Sequence, residues 1–472
     1  MAPDVGELVA ALPEDLDEER GSAQQGLTDL LMRLSHKPVP VGRLTRMWTL
    51  GSMKAKIAVA YLAYWIRSGY ATKDEKEKQL NEAHLKAALQ LVGGMSYMRG
   101  AIMKVGQTLA QWPSVVPAQF IEVLGKLHFE APPMHYSLLR EYLHDELGGD
   151  PEELFAEFET AAFAAASLGQ VHRARLKSGQ LVAVKVQYPN IARTIDSDFR
   201  NFMAMMAPMR LSKDWDNLRE QWEDIREMLT WETDYEREAD FLRRGRAVFG
   251  EDEGIVVPKV YSEYSTKHVL TMDYLDGVHL DEYLADNPSQ EQRDRSGERI
   301  MRASFRLAHS AELWYADSNP GNYVFMKDGR LGLLDFGCCR EFSDEEWGFY
   351  KEVGRAFLAG DDEAYRQGMY RAADVDPNDP KNSDHVDLLV KLGSWFQEYI
   401  TYDGPFDFGD EKNLQQGIDM LATLTRKRYF RSMPVTTWIN RHLLGVRSLL
   451  FRLRARIDMK TLCEEESKGV FD

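Results

Sequence analysis

The stretch from Ala316 to Gly337, ADSNPGNYVFMKDGRLGLLDFG, constrains this chain more than any other. Asp317 is followed five positions later by Asn322, and Asn322 thirteen positions later by Asp335 of an Asp-Phe-Gly. Between them, the apolar residues of YVFM and LGLL flank Lys327-Asp328-Gly329-Arg330, a turn whose glycine takes a positive φ cheaply. The pattern predicts a β-hairpin. A hairpin returns its two ends to one place, so Asn322 and Asp335 should emerge as neighbours beside Asp317. An amide oxygen and a carboxylate suit magnesium carried in on phosphates. A further carboxylate beside them can orient or deprotonate a nucleophile. The stretch reads as a nucleotide site with a metal at its centre.

Order and spacing are those of a kinase catalytic loop followed by its metal-binding turn. The other half of such a site lies upstream. FAAASLGQVHRA at 163–174 and the following RLKSGQLVAVKVQYP read as two apolar strands joined by a turn at Lys177–Gln180. Val182-Ala183-Val184-Lys185 matches the kinase strand that carries the phosphate-binding lysine. The segment before it should cover the phosphates, where kinases use glycines. Here Ala164, Ala165, Ala166 and Ser167 stand in and Gly169 is left alone, which predicts a stiffer loop.

Ile191–Met209 and Trp215–Gly245 read as helices. Within the second, Trp231–Phe241 carries Glu232, Asp234, Glu236, Glu238 and Asp240. One of them should pair with Lys185, as a helix glutamate does in kinases, and the others form a solvated face. Spacing does not choose among them. Val256-Val257-Pro258 and His268–Leu275 are strand-like. MDYLDG at Met272–Gly277 resembles the inter-lobe hinge that contacts adenine, which puts Met272 and Tyr274 beside the nucleotide. Asp281–Ser310 and nearly all of 344–472 read as helical.

Two features separate this pattern from a conventional protein kinase. Ala316 precedes Asp317 where an arginine would receive a phosphorylated activation loop. Cys338-Cys339-Arg340 then leads almost at once into a helix at Asp344–Leu358, leaving no activation segment for a peptide to dock on and no Ala-Pro-Glu. The expectation is phosphoryl chemistry without conventional protein kinase activity.

The fold class expected is α+β: a two-lobed protein-kinase-like fold with an N-terminal helical extension and a mostly helical large lobe. Along the 472 residues we expect an acidic segment and basic amphipathic helix at 1–80, then a helical extension at 81–149. A small lobe with a helical insertion follows at 150–278, and the large lobe at 279–472. With 58 basic against 75 acidic residues, a net charge of −17 argues against nucleic acid as a partner. Three cysteines, two adjacent, make no disulfide framework and indicate a reducing, cytoplasmic setting. The N-terminus shows no secretory signal, and no apolar run is long enough to span a bilayer. Val41–Tyr70 is basic and amphipathic. Its simpler reading is a helix packed on its own protein, the other a helix lying at a membrane surface. In Met98–Trp112, Lys104 and Gln107 share a helix face around Gly106, which by spacing alone is ordinary solvated surface.

Together these motifs resemble the UbiB/AarF family of atypical kinase-like proteins, linked to coenzyme Q and other isoprenoid lipids. The resemblance covers roughly residues 85–340. The family's Lys-x-Gly-Gln corresponds to Lys104, Gly106 and Gln107, its Ala-rich loop to Phe163–Gln170, and its nucleotide-binding lysine to Lys185. Its Glu-x-Asp falls on Glu232 and Asp234, the lysine's carboxylate partner on Glu238, the catalytic Asp on Asp317, and the magnesium ligands on Asn322 and Asp335. Ser318 departs from the proline many members have there. The resemblance implies that the Lys-x-Gly-Gln helix packs over the active site where a peptide would lie. It also implies ATP, with ADP as the alternative nucleotide, and Mg²⁺. The activity implied is a magnesium-dependent ATPase supporting isoprenoid quinone or lipid handling, with peripheral membrane association through Val41–Tyr70, the basic helix at Arg441–Arg456, or partners. A small-molecule or lipid kinase and a nucleotide-gated lipid-binding protein are the rival readings.

Overall fold

A computed structural model describes residues 134–472, with breaks at 167, 190, 251–253, 428, 430–431 and 472 and only scattered positions between 193 and 225. Val41–Tyr70, Lys104, Gly106, Gln107 and Ser167 lie outside the described residues. The chain divides into two compact units. One includes Ala162–Gln170 and Gln187–Thr233; the other comprises Tyr136–Ala161, Val171–Val186 and Asp234–Asp472. The second carries both lobes of a kinase-like α+β fold.

The small lobe opens with α1 (Tyr136–Leu147), ended by Gly148 at φ +76°, and the single turn α2 (Pro151–Leu154). Its sheet contains β1 (Glu157–Phe158), β2 (Ala164–Ala166), β3 (Gly169–Arg175) and β4 (Leu181–Gln187). The strand order is β1-β3-β4-β6, where β6 is Val269–Asp273, and β2 pairs with β3 off that path. The turn between β3 and β4 holds Gly179 at φ +95°. Because side chains alternate along a strand, Val182, Val184 and Val186 fill one face at 0% exposure while Lys185 lies on the other. Helix α3 (Tyr235–Ala247) packs against β6, and Tyr235, Ala239 and Leu242 join the core.

The expected continuous helix Trp215–Gly245 is not formed. Helical residues at 226–231 give way to a turn, and α3 begins afresh at Tyr235. Asp234 causes the restart: its carboxylate accepts the Arg237 amide at 3.1 Å, satisfying a donor with no partner inside the helix. The expected helix Asp281–Ser310 also divides, into α4 (Leu280–Ala285) and α5 (Gln290–Ser310). Between them Asn287 turns through φ +51° before Pro288, and Ser289 and Gln292 form a reciprocal capping box.

Beneath the small lobe, β5 (Ile255–Val256), β7 (Gly277–Val278), β9 (Tyr323–Met326) and β10 (Leu331–Leu333) form a second sheet in the order β5-β10-β9-β7. The short β8 (Trp314–Tyr315) pairs with β11 (Cys339–Arg340). Beyond it come α6 (Asp344–Ala359), α7 (Asp362–Ala372), α8 (Ser383–Thr401), α9 (Glu411–Lys427), α10 (Pro434–Leu453) and α11 (Met459–Glu466). One pair, β12 (Phe406–Asp407) with β13 (Arg456–Ile457), interrupts the helices. A single core cluster runs from Ala183 of the small lobe through Phe336 to Leu450.

The basic helix at Arg441–Arg456 is not available as an amphipathic membrane surface. Val446, Leu449, Leu450 and Leu453 of α10 are all buried in that core, so its apolar side is already covered. Among the described residues, no helix is long and apolar enough to cross a membrane.

Candidate nucleotide site

The predicted hairpin is β9–β10, with Gly329 at φ +83° in its turn and Gly332 opposite Val324. At its open end the Leu334 amide donates to the Asn322 carbonyl at 3.0 Å, which brings Asn322 and Asp335 together. Asn319 accepts the Gly321 amide at 2.9 Å, forming a single 3₁₀ turn that ends at Asn322. The Asn322 side-chain amide donates to the Asp317 carbonyl at 3.1 Å, leaving its oxygen as the atom to offer a cation. Asp317 Oδ1 accepts the Asn319 amide at 3.2 Å and lies 3.9 Å from the Arg441 guanidinium.

Lys185 Nζ lies 2.9 Å from both oxygens of Glu238 and 3.3 Å from Asp335 Oδ2. Glu238 is 1% exposed, so of the acidic run it is the carboxylate that meets the lysine. Burial alone would push the ammonium pKa down; Asp335 and Glu238, with Tyr235, outweigh it and hold Lys185 well above its ordinary value. Lys185 is therefore a fixed cation at the junction of the lobes. Asp335 Oδ1 meanwhile accepts the Gly337 amide at 2.9 Å, which sets the tight turn of the Asp-Phe-Gly.

Arg237, which the sequence reading passed over, ties that turn to α3. Its guanidinium donates to the carbonyls of Gly337 at 3.1 Å and Cys339 at 2.6 Å and lies 4.4 Å from the Phe241 ring. Gly245 lets Phe336 approach so closely that a Cβ there would meet the ring at 2.6 Å. The chain following Asp335 goes straight into β11 and is held by the Arg340–Glu346 ion pair at 2.6 Å. No residues remain there for an activation segment. Cys338 and Cys339 are both buried, and burial pushes the Cys339 thiol well above its ordinary pKa, against the pull of Arg237. They are packing residues.

Met272 is buried in β6 opposite Ala183. The Tyr274 amide donates to the Leu181 carbonyl at 3.1 Å, and its hydroxyl accepts from Arg173 at 2.8 Å. In the other unit, Ala164, Ala165 and Ala166 form β2, and Gly169 begins β3. Glu232 is buried in the turn before α3, where its amide donates to the Met228 carbonyl at 3.0 Å. Asp234 caps α3 and lies 3.8 Å from Lys267, which is helix-end architecture.

His442 of α10 holds the backbone just before Asp317. It is 4% exposed, and its Nδ1 donates to the Tyr315 carbonyl at 2.5 Å, two residues before Asp317. Burial pushes its pKa down to about 4. The folded protein therefore keeps the neutral imidazole, while the unfolded chain takes a proton near pH 6.5. Its contribution is complete above about pH 6.5 and is lost as pH falls toward 4, amounting to roughly 3 kcal/mol. We expect denaturant midpoints to fall across that window, and His442→Asn, whose amide can still donate to Tyr315, to flatten the fall. An unchanged pH slope in the variant would remove His442 as its cause.

A lysine–glutamate pair on strand and helix, facing an Asp…Asn…Asp loop across a two-lobed cleft, defines a kinase-like protein. Residues 126–369 match the ABC1 atypical kinase-like domain, and the chain belongs to that family. It is 27% identical to "Atypical kinase COQ8B, mitochondrial" of Danio rerio, over 96% of this chain and 74% of that one. It is 29% identical to "Atypical kinase COQ8, mitochondrial" of Saccharomyces cerevisiae, over 93% of this chain and 86% of that one. Among solved structures it resembles the Rv3197–erythromycin complex from Mycobacterium tuberculosis. The TM-score is 0.58 and the identity 26%, covering 85% of this chain and all of that one.

Proposed function

We propose that the chain is a magnesium-dependent ATPase of the UbiB type, acting in the handling or synthesis of isoprenoid quinones or related lipids, without conventional protein kinase activity. The observation that carries the nucleotide reading is the fixed Lys185 ammonium, held by Glu238 and aimed between it and Asp335. In this reading Lys185 contacts the α- and β-phosphates, Met272 and Tyr274 border the base, and Asp317 accepts a hydrogen bond from the attacking water. The covalent chemistry is little more than P–O exchange, so positioning and charge supply most of the rate.

The donors fit magnesium. Asn322 and Asp335 offer only oxygen, and among the described residues no cluster of three His, Cys, Asp or Glu side chains is placed to hold a metal. A site so sparse suits an ion that keeps waters and arrives with phosphates, as Mg²⁺ does. Bound there, Mg²⁺ would neutralise charge developing on the phosphates. The lipid side of the proposal rests on the family and its atypical kinase relatives. The setting proposed is a reducing, cytoplasmic one with peripheral membrane contact, and Lys104, Gly106 and Gln107, with Glu232 and Asp234, are proposed as the gate over the site.

The test is ATP hydrolysis by the purified full chain, with and without isoprenoid-lipid vesicles, in Mg²⁺ or EDTA, beside Asp335→Asn. We expect phosphate release that needs Mg²⁺ and rises with lipid, and a variant whose Mg-nucleotide affinity falls by about tenfold or more, equivalent to one lost charged contact. EDTA-resistant hydrolysis, or wild-type affinity in Asp335→Asn, would refute the metal assignment. Phosphorylated lipid without free phosphate would replace the ATPase with a lipid kinase.

A further inference from the structure

Helix α10 carries a second feature, which the nucleotide site does not use. Thr436, Ile439, Leu443, Val446, Arg447 and Leu450 recur at three- and four-residue intervals and so share one face. That face lines a cavity of about 230 Å³ inside the large lobe. The rest of the wall comes mainly from α5, α6, α7, α8 and α11 and is dominated by rings and aliphatic chains, Phe305, Phe357 and Phe396 among them.

Among the described residues, two buried polar atoms on the α10 face have no hydrogen-bond partner: Oγ1 of Thr436 and Nε of Arg447. Arg447 is only 2% exposed. Its other nitrogens donate to the Phe408 carbonyl at 2.9 Å and to Asn413 Oδ1 at 3.0 Å. The rings of Phe408 and Trp395 lie 5.2 and 5.8 Å from its guanidinium carbon. None of these partners is a carboxylate, and Asp410 acts on it only at longer range. A buried guanidinium with a spare donor and no paired anion is costly in a folded chain. A ligand that supplies the anion removes that cost.

We propose that this cavity binds a single-chain amphiphile with a carboxylate head, of the medium-chain fatty-acid type, its head on Arg447 and its chain along α10 toward Thr436. The span from Thr436 to Arg447 is about 16 Å at the helical rise, which favours an extended chain over a compact ring. The volume exceeds the roughly 150 Å³ that admits benzene. Of the three guanidinium nitrogens only Nε lacks a partner, and the single positive charge of Arg447 matches a monoanion; a phosphate monoester would bring more negative charge than that one cation balances. His442 lines the same cavity, so the occupant also lies against the residue that holds the Tyr315 carbonyl.

The test is titration calorimetry of the full chain, without nucleotide, using dodecanoate below its micelle concentration and 1-dodecanol as the uncharged match. Because no nucleotide is present, its outcome is independent of ATP hydrolysis. We expect dodecanoate to bind about tenfold or more tightly than dodecanol, and Arg447→Met to abolish that preference. Ser304→Leu, on the α5 wall, should weaken both ligands by filling the cavity, and it serves alone if Arg447→Met does not fold. No binding by the wild-type chain, equal affinities for the two ligands, or full dodecanoate affinity in Ser304→Leu would overturn the proposal.

Discussion

Asp317→Asn is expected to bind ATP with wild-type affinity and to release phosphate about 10² to 10⁴ times more slowly, the range for removing one positioned proton acceptor. The substitution is mild for the fold. Asp317 Oδ1 accepts the Asn319 amide at 3.2 Å, and an asparagine oxygen can do the same. The Asn322 side chain bonds the Asp317 main-chain carbonyl, which the substitution leaves in place. What disappears is the negative charge and the second strong acceptor, along with the attraction to Arg441 at 3.9 Å. The loss should therefore fall on kcat with KM nearly unchanged, as for an interaction made mainly in the transition state. Steady-state hydrolysis and a nucleotide-binding titration on the same preparation separate the two. Normal turnover in the variant would mean that Asp317 plays no part in the chemistry.

The parts of this site that could be read from sequence are those where local pattern and chemistry coincide. Apolar alternation around Lys327–Arg330 defined β9–β10, and the Val-Ala-Val-Lys run defined β4, because a strand's period is visible within a few residues. The absent activation segment was equally plain, since it depends only on the residues between Asp335 and Asp344. Other parts had no local signal. Five carboxylates between Glu232 and Asp240 look alike in composition, and only the packing of α3 against β6 decides that Glu238 turns inward. Arg237 on so acidic a stretch looks like a solvated charge, yet it bonds two carbonyls about a hundred residues away. The break before α3 was hidden because Asp234 continues the acidic pattern while acting as a cap. For α10 the sequence shows a basic helix, but its composition cannot say whether its apolar residues meet a membrane or the protein's own core.

Glu238→Ala is expected to cost about 3 kcal/mol of stability, the low end for breaking a buried ion pair, because Asp335 stays 3.3 Å from Lys185. That residual contact makes the functional loss larger than the structural one. With Glu238 gone, the ammonium has Asp335 as its remaining carboxylate partner among those it now touches, and a carboxylate engaged by Lys185 is a poorer magnesium ligand. The nucleotide also loses a lysine held in place. Removing both charges, as Lys185→Met with Glu238→Leu, leaves no uncompensated ammonium and should recover most of the stability, since a packed apolar pair replaces a buried ionic one at little cost. It should not recover nucleotide binding. Denaturant midpoints and nucleotide affinity for the single and double variants form the test. A single variant as stable as wild type would show that the pair does not hold the lobes' junction. Nucleotide binding restored in the double variant would show that Lys185 does not hold the phosphates.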